Sequence, residues 1–269
     1  MDGTLTGVWS GMAPMIWLKV LFTLVGAAVG SFLNVCISRI PEGISIVSPS
    51  SRCPQCGHPI RFYDNLPVIS YLLLLGKCRD CRGRISLRYP LVELITAAFA
   101  WLLFQKYGLA PAYPAAFIFV CTLIVITFID LDQQIIPHVL TLSGIPVFAF
   151  LAVLFMGLTA VDTFLGIMIG AGTLYFVAVY YEALTGREGM GGGDVNLLAM
   201  LGAFFGWKAL LFILLVSSLI GAVMGVAVIL FKGKDLRYAI PFGPFLCLAA
   251  VVYLFFGDQL TRLFLSFRI

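Results

Sequence analysis

The chain has 269 residues, of which 61% are hydrophobic and 11% are charged, and its formal net charge is +4. A soluble domain of this length carries about a quarter of its residues as charged groups. The composition therefore excludes an ordinary soluble protein and favours one whose solvent is lipid, and we expect no nucleic-acid partner.

Apolar runs that are long enough to cross a bilayer as helices, about 20 residues each, recur along the chain. Eight spans are predicted, at 15–36, 90–106, 113–130, 138–156, 163–183, 195–206, 209–231 and 239–257. We expect the first to be a retained helix and not a cleaved signal peptide, because Lys19 lies inside it and no small-residue cleavage pattern follows. The predicted fold class is an all-α polytopic membrane protein with about eight transmembrane helices and a small cytoplasmic zinc-binding loop.

The sixth span, VNLLAMLGAFFG, is the shortest. At about 1.5 Å per residue it falls short of the hydrocarbon thickness, so it needs help from its flanks or local thinning of the bilayer. Short, glycine-flanked helices often mark a functional break in polytopic proteins. A helix frayed at one end is the alternative.

Basic residues predict the orientation, because lysine and arginine accumulate in cytoplasmic loops. With eight spans, 12 of the 17 basic residues fall on one side: in loop 37–89, at Arg187, and at Lys232, Lys234 and Arg237. If that side is the cytoplasm, both termini lie on the opposite, periplasmic side.

Four of the seven cysteines form two C-x-x-C pairs in loop 37–89, with 21 residues between the pairs. This spacing is typical of a tetrahedral zinc site, and a cytoplasmic location disfavours disulfides. A redox dithiol and an iron–sulfur cluster are the alternatives. Gly57 and Gly83, which follow the pairs, are expected to give the backbone the freedom to fold around the thiolates. The predicted ligands are Cys53, Cys56, Cys78 and Cys81.

The other cysteines and the neighbouring histidine are given no role in chemistry. His58 is expected at the surface. A single cysteine in an apolar span usually acts as a small hydrophobic side chain. This interpretation applies to Cys36, Cys121 and Cys247.

Carboxylates at span boundaries are costly and therefore informative. Asp130 ends the third span, where the negative end of the helix dipole makes a purely structural role less favourable, and Asp132 is expected to be solvated. Asp194 begins the sixth span after a run of glycines, where Asp is also a favoured helix N-cap. Glu93 and Glu182 are expected to have structural or interfacial roles.

Asp130 and Asp194 are predicted to lie at the same edge of the bilayer, because the third span runs inward and the sixth runs outward. Two carboxylates at one depth on separate helices can form an aspartyl dyad, in which one is ionised and the other protonated. Helix polarity favours ionised Asp194 and protonated Asp130. The glycines would let a peptide backbone approach the carboxylate and let the loop move.

The ordered set of motifs resembles the bacterial type IV prepilin peptidases. GGGD (191–194) fits the G-x-G-D signature of polytopic aspartyl proteases, and FIDLDQQIIP (128–137) fits the family's aspartate-to-Ile-Pro pattern. Three more segments resemble the family's amino-terminal block: GSFLNVCISRIP (30–41), DNLPVISY (64–71) and CRGRISLRYPLVELITA (81–97).

This resemblance implies a bifunctional inner-membrane enzyme whose catalytic pair is Asp130 and Asp194. It would cut prepilins or type II secretion pseudopilins after a glycine on the cytoplasmic side. It would then methylate the new amino terminus with S-adenosylmethionine. The sequence contains no G-x-G-x-x-G unit for that cofactor, and Asn34 and Glu93 are only weak candidates to bind it. The four-cysteine loop, which is predicted to bind Zn²⁺ here, occurs in the members of the family that also methylate.

The predicted domain organisation has four parts. They are the first helix with its preceding segment (1–36), the four-cysteine loop (37–89), the protease core (90–257) and a tail (258–269). The main alternative function is a proton-coupled membrane transporter, which would also use intramembrane carboxylates and broken helices. The transporter alternative predicts carboxylates near the middle of the bilayer and an internal sequence repeat. A zinc-bearing scaffold without catalysis is a third possibility.

Overall fold

The structure is a computed structural model that describes residues 6–186, 191–232 and 241–266. The predictions that involve Arg187, Lys234, Arg237 and the first residues of the glycine-rich stretch lie outside the described residues. Nine helices account for most of the described chain, with a short 3₁₀ helix at Phe62–Asn65. They are α1 (Thr6–Arg39), α2 (Ile69–Leu73), α3 (Arg88–Tyr107), α4 (Ala112–Gln133), α5 (His138–Phe155), α6 (Ala160–Thr185), α7 (Gly192–Phe205), α8 (Trp207–Lys232) and α9 (Gly243–Ser266).

Eight helices of 14 residues or more largely coincide with the eight predicted spans, so the prediction of an all-α polytopic membrane protein is confirmed. Five of them are long and apolar enough to cross a membrane: α1, α4, α5, α6 and α8. Helix α7 and the first part of α9 are shorter apolar helices. The stretch 66–76 forms only the five-residue α2 and does not cross.

The chain divides into two compact units, Met1–Val125 and Ile126–Ile269, and the division falls within α4. In the first unit α1 packs along α3. Gly26 and Gly30 on α1 permit this packing, because a Cβ on Gly26 would lie 2.5 Å from the Ala100 Cβ and one on Gly30 would lie 2.7 Å from the Glu93 Cα. Small residues four apart let membrane helices approach closely.

In the second unit α7 packs against α5, α6, α8 and α9. Every side chain from Leu197 to Phe204 is buried. The closest approach joins Gly166 on α6 to Gly202 on α7, where a Cβ on either residue would overlap the backbone of the other. Glycine at both positions therefore lets the short helix lie inside the unit.

We expect Gly202→Ala to destabilise the protein by about 1–3 kcal/mol, because the added methyl group forces α6 and α7 apart. The matched control is Gly172→Ala on α6, where an added Cβ has no neighbour within 4 Å. Thermal unfolding in detergent should show a lower Tm for Gly202→Ala alone. Equal midpoints for the two variants would contradict the proposed packing role.

Candidate active site and metal centre

Asp130 and Asp194 both belong to the second unit, at the end of one helix and the start of another. Asp130 lies in the last turn of α4 and is 4% exposed. Asp194 is the third residue of α7 and is half-buried. The predicted N-cap role of Asp194 is wrong, since Gly191 occupies the cap with φ −72° and ψ 145°. The Asp194 carboxylate is therefore not used to cap its own helix.

The two carboxylates lie close enough for their charges to interact. Each has one buried oxygen without a hydrogen-bond partner among the described residues, Oδ2 of Asp130 and Oδ1 of Asp194. A buried polar atom without a partner is rare and expensive in a folded protein. The arrangement thus leaves two acceptor atoms available in one region. Asp132 is exposed, as predicted.

The start of α9 completes the surroundings of Asp130, and the sequence analysis missed it. The backbone N–H of Gly243 donates a hydrogen bond to the Asp130 carboxylate. A Cβ at Gly243 would lie 2.5 Å from the Asp130 Oδ2, so this position has no room for a side chain. The available signal was the Gly-Pro pair at 243–244 at the start of a span.

Cys247, which was interpreted as a small hydrophobic side chain, is indeed buried at 3% exposure. It lies one turn beyond Gly243 on α9. Its thiol hydrogen-bonds with the Thr127 side chain and lies near both aspartates. A small thiol therefore forms part of the apolar wall beside the carboxylates.

The glycines before Asp194 differ in their surroundings. A Cβ at Gly193 would lie 2.8 Å from the Ile136 Cβ, whereas one at Gly192 would have no neighbour within 4 Å. The same two segments also meet at His138 and Asn196, whose side chains are hydrogen-bonded at 3.0 Å between His138 Nδ1 and Asn196 Nδ2. The segment before α5 thus lies against the first turn of α7 and fixes the position of Asp194.

The four predicted cysteine ligands come together in the first unit, with their sulfur atoms all within 4.8 Å of one another. The Sγ atoms of Cys53 and Cys81 are 3.9 Å apart. A tetrahedral zinc with Zn–S bonds of about 2.3 Å separates its sulfurs by about 3.8 Å. The cluster can therefore hold a metal ion, and His58 is exposed and outside it.

The two pairs form knuckles with the same backbone pattern. The N–H of the first cysteine donates to the carbonyl five residues on, at 2.9 Å for Cys53 and 2.8 Å for Cys78. The positive φ of Gly57 (70°) matches that of Arg82 (59°). The predicted backbone role of Gly83 is thus wrong, because Arg82 adopts that conformation.

Gly83 instead makes room for a neighbouring side chain. A Cβ there would overlap the side chain of Gln55 from the other knuckle. Hydrogen bonding from the backbone of Cys56 lowers the pKa of the Cys53 thiol to about 7.

An ion pair connects the second knuckle to the segment that follows the first knuckle. Arg79, inside the second knuckle, forms a two-pronged ion pair with Asp64, with Nη2–Oδ1 at 2.6 Å and Nε–Oδ2 at 2.9 Å. Hydrogen bonds from Arg79 lower the pKa of the Asp64 carboxyl. Arg79 is 46% exposed and Asp64 only 11%, and the two-pronged contact between them orients the loop.

The two weak cofactor candidates are brought together on α1 and α3. Asn34 and Glu93 are 2% and 7% exposed, and both line a cavity of about 490 Å³ within the first unit. Glu93 accepts a hydrogen bond from the Val68 N–H at 2.8 Å. Glu182, in contrast, is exposed on α6.

Comparison with known proteins gives one consistent result. Residues 24–107 match the model of the bacterial peptidase A24 N-terminal domain, and residues 117–226 match that of the type IV leader peptidase family. The relatives are each named prepilin leader peptidase/N-methyltransferase. Those from Aeromonas hydrophila and Pseudomonas aeruginosa are each 38% identical, over 94% and 91% of this chain and 95% and 92% of their own length.

A relative from Myxococcus xanthus with the same name is 42% identical over 80% of this chain and 64% of its own length. No solved structure gave a significant match. The identities and the two successive family models together cover most of the chain. The chain belongs to the type IV leader peptidase family.

Proposed function

We propose that this protein is a membrane aspartyl endopeptidase and N-methyltransferase. It removes the leader peptide of type IV prepilins or type II secretion pseudopilins after a glycine, and then methylates the new amino terminus with S-adenosylmethionine. The observation that carries the peptidase activity is the pair of carboxylates, Asp130 and Asp194, with an unpartnered buried oxygen on each. The full-length relatives carry both activities in their name.

In the proposed mechanism the two aspartates share one proton. Two like charges in a site of low dielectric cannot both ionise cheaply. The ionised carboxylate takes a proton from water, and the protonated one donates a hydrogen bond to the scissile carbonyl. The N–H of Gly243 holds the Asp130 carboxylate in place for this exchange.

The methylating activity requires a donor, and S-adenosylmethionine supplies an electrophilic methyl group when bound. The first unit offers a cavity of about 490 Å³, which is within the usual range of about 300–1,000 Å³ for ligand sites. The unpartnered Oδ1 of Asn34 in its wall supports a ligand that brings its own hydrogen-bond donor.

The proposed location is the bacterial inner membrane, with the active site at the cytoplasmic face and both termini in the periplasm. The distribution of basic residues supports this orientation. Asp130 at the end of α4 and Asp194 at the start of α7 are both near helix ends, whereas a transporter would place its carboxylates near the midplane. Family membership also favours the peptidase over the transporter.

The direct test is incubation of the purified protein in detergent with a prepilin and S-adenosylmethionine. Mass spectrometry should show loss of the leader at a glycine and one added methyl group on the new amino terminus. A prepilin that stays intact, with the enzyme folded, would contradict the peptidase proposal. A cleaved but unmethylated product would contradict only the methyltransferase part.

The four-cysteine cluster is proposed to hold structural Zn²⁺. Elemental analysis of the purified protein should find about one zinc per chain, and Cys53→Ser should lose it. His58→Ala is the matched control and should keep it, since His58 is exposed and outside the cluster. Leader cleavage should survive chelation, because the aspartates belong to the other unit. Iron in place of zinc would overturn the assignment.

A further inference from the structure

The cavity of about 490 Å³ in the first unit has an acidic group in its wall. Glu93 on α3 is 7% exposed, and its carboxylate accepts a hydrogen bond from the Val68 N–H. Among the residues that the structure describes, no ion pair joins this carboxylate to a lysine or arginine. A buried carboxylate without a cation is expensive unless a ligand supplies the positive charge.

The backbone at Val68 shows that this carboxylate is held in place. Val68 has φ 61°, a conformation that β-branched residues rarely adopt. Its N–H is fixed by the Glu93 Oε2 at 2.8 Å. Strain of this kind persists only where the surroundings impose it, and it often occurs in ligand sites.

A second buried polar group lies in the same wall. The Nδ2 of Asn34 donates to the carbonyl oxygens of Tyr89 and Gly30, at 3.1 and 3.3 Å. Its Oδ1 is fully buried and has no partner among the residues that the structure describes. Because two carbonyls fix the orientation of the amide, the Oδ1 cannot exchange places with the Nδ2. Beside six arginines and two aspartates, the cavity wall therefore offers one buried carboxylate and one buried acceptor without a partner among the described residues.

We propose that this cavity is the binding site for S-adenosylmethionine, with Glu93 opposite its sulfonium and Asn34 accepting one of its N–H groups. The proposal rests on the methyltransferase function proposed above. The ligand has a sulfonium, an ammonium and an adenine amino group, which match a carboxylate and an acceptor. Arg52 and Arg84 also line the cavity and suit the carboxylate of its methionine part.

The methyl transfer moves a positive charge from the sulfur of the donor to the nitrogen of the acceptor. The lone pair of the pilin's terminal amine forms a bond to the methyl carbon, the carbon–sulfur bond breaks, and its electron pair stays on sulfur. The nitrogen gains the positive charge and then loses a proton to solvent. Glu93 thus faces the sulfonium before the transfer and the methylated ammonium until its proton leaves, and it binds and positions the donor without taking part in the bond changes.

The test compares binding of S-adenosylmethionine with that of S-adenosylhomocysteine, which lacks the methyl group and the sulfonium charge. Isothermal titration of the purified full chain in detergent should show that Glu93→Gln weakens binding of the charged ligand about tenfold or more. S-adenosylhomocysteine, which keeps the ammonium but has no sulfonium, should lose much less. Glutamine keeps an acceptor for the Val68 N–H, so the fold at that point is retained. Glu42→Gln, outside the cavity, is the matched control and should bind both ligands normally.

A second variant tests the free acceptor independently. Asn34→Leu should weaken binding of both ligands to a similar degree, because the N–H groups that it loses are common to them. Leader cleavage by all three variants should equal that of the unmodified protein, which also shows that they are folded.

Equal losses of the two ligands in Glu93→Gln would mean that Glu93 only supports Val68, and unchanged binding would place the donor elsewhere. A changed KM for the peptide acceptor with unchanged donor binding would assign the carboxylate to the substrate amine. Each of these results would overturn the inference about the cavity and leave the proposed methyltransferase function standing. If the unmodified protein neither bound nor used the donor, the proposed methyltransferase function would fail instead.

Discussion

Asp130→Asn or Asp194→Asn is expected to reduce leader cleavage by about a thousandfold or more, with the protein still folded. Each asparagine has almost the shape of the aspartate but can neither take up nor release the shared proton, and general acid–base catalysis typically contributes about 10²–10⁴-fold. The amide at position 130 can still accept the hydrogen bond from Gly243. Initial rates of prepilin cleavage by the purified variants measure the effect.

Two controls make this result specific to the pair. Asp132→Asn lies on the same helix but is exposed, and it should cleave at a normal rate. Both catalytic variants should also methylate a peptide that has already lost its leader, because the methylating site is proposed in the other unit. Comparable losses at positions 130 and 132 would contradict the assignment of the dyad.

Gly193→Val should abolish leader cleavage, and Gly192→Val should not. At Gly193 an added Cβ would lie 2.8 Å from the Ile136 Cβ and 3.4 Å from the Ile136 carbonyl oxygen, so the first turn of α7 must move and take Asp194 with it. At Gly192 none of the described residues lies within 4 Å of such a Cβ. A misplacement of about 1 Å can cost about a hundredfold in rate.

The neighbouring substitution is the matched control, because both variants put the same side chain into the first turn of the same helix. Cleavage assays should be read beside thermal unfolding in detergent, so that loss of activity is separated from loss of fold. Full activity in Gly193→Val would mean that the glycines serve only as a linker. Equal inactivation of both variants would mean that the flexibility of the whole stretch matters more than the contact with Ile136.

Much of the architecture follows from composition and periodicity, because lipid forces the backbone to satisfy its own hydrogen bonds within helices. The eight spans appear as eight long helices for this reason. The cysteine cluster was also predictable, since the C-x-x-C spacing fixes a knuckle locally. The prediction that Asp130 and Asp194 lie near each other depended on counting the crossings between them.

The features that the sequence did not reveal depend on contacts between distant segments. Gly243 and Cys247 lie more than a hundred residues from Asp130, and no local pattern connects them with it. Asp194 was predicted as a cap by its residue type, but Gly191 takes that position because an extended glycine precedes the helix. The role of Gly83 depends on Gln55, a side chain in the other knuckle.

The burial of α7 within the second unit has a consequence for how the protein responds to its lipids. A helix that faces lipid adjusts its tilt or its depth when the acyl chains lengthen or shorten. Helix α7 is only 14 residues long and is surrounded by α5, α6, α8 and α9, so its depth is set by protein packing. The outer helices can therefore tilt to follow membranes of different thickness, while Asp194 keeps its depth within the second unit.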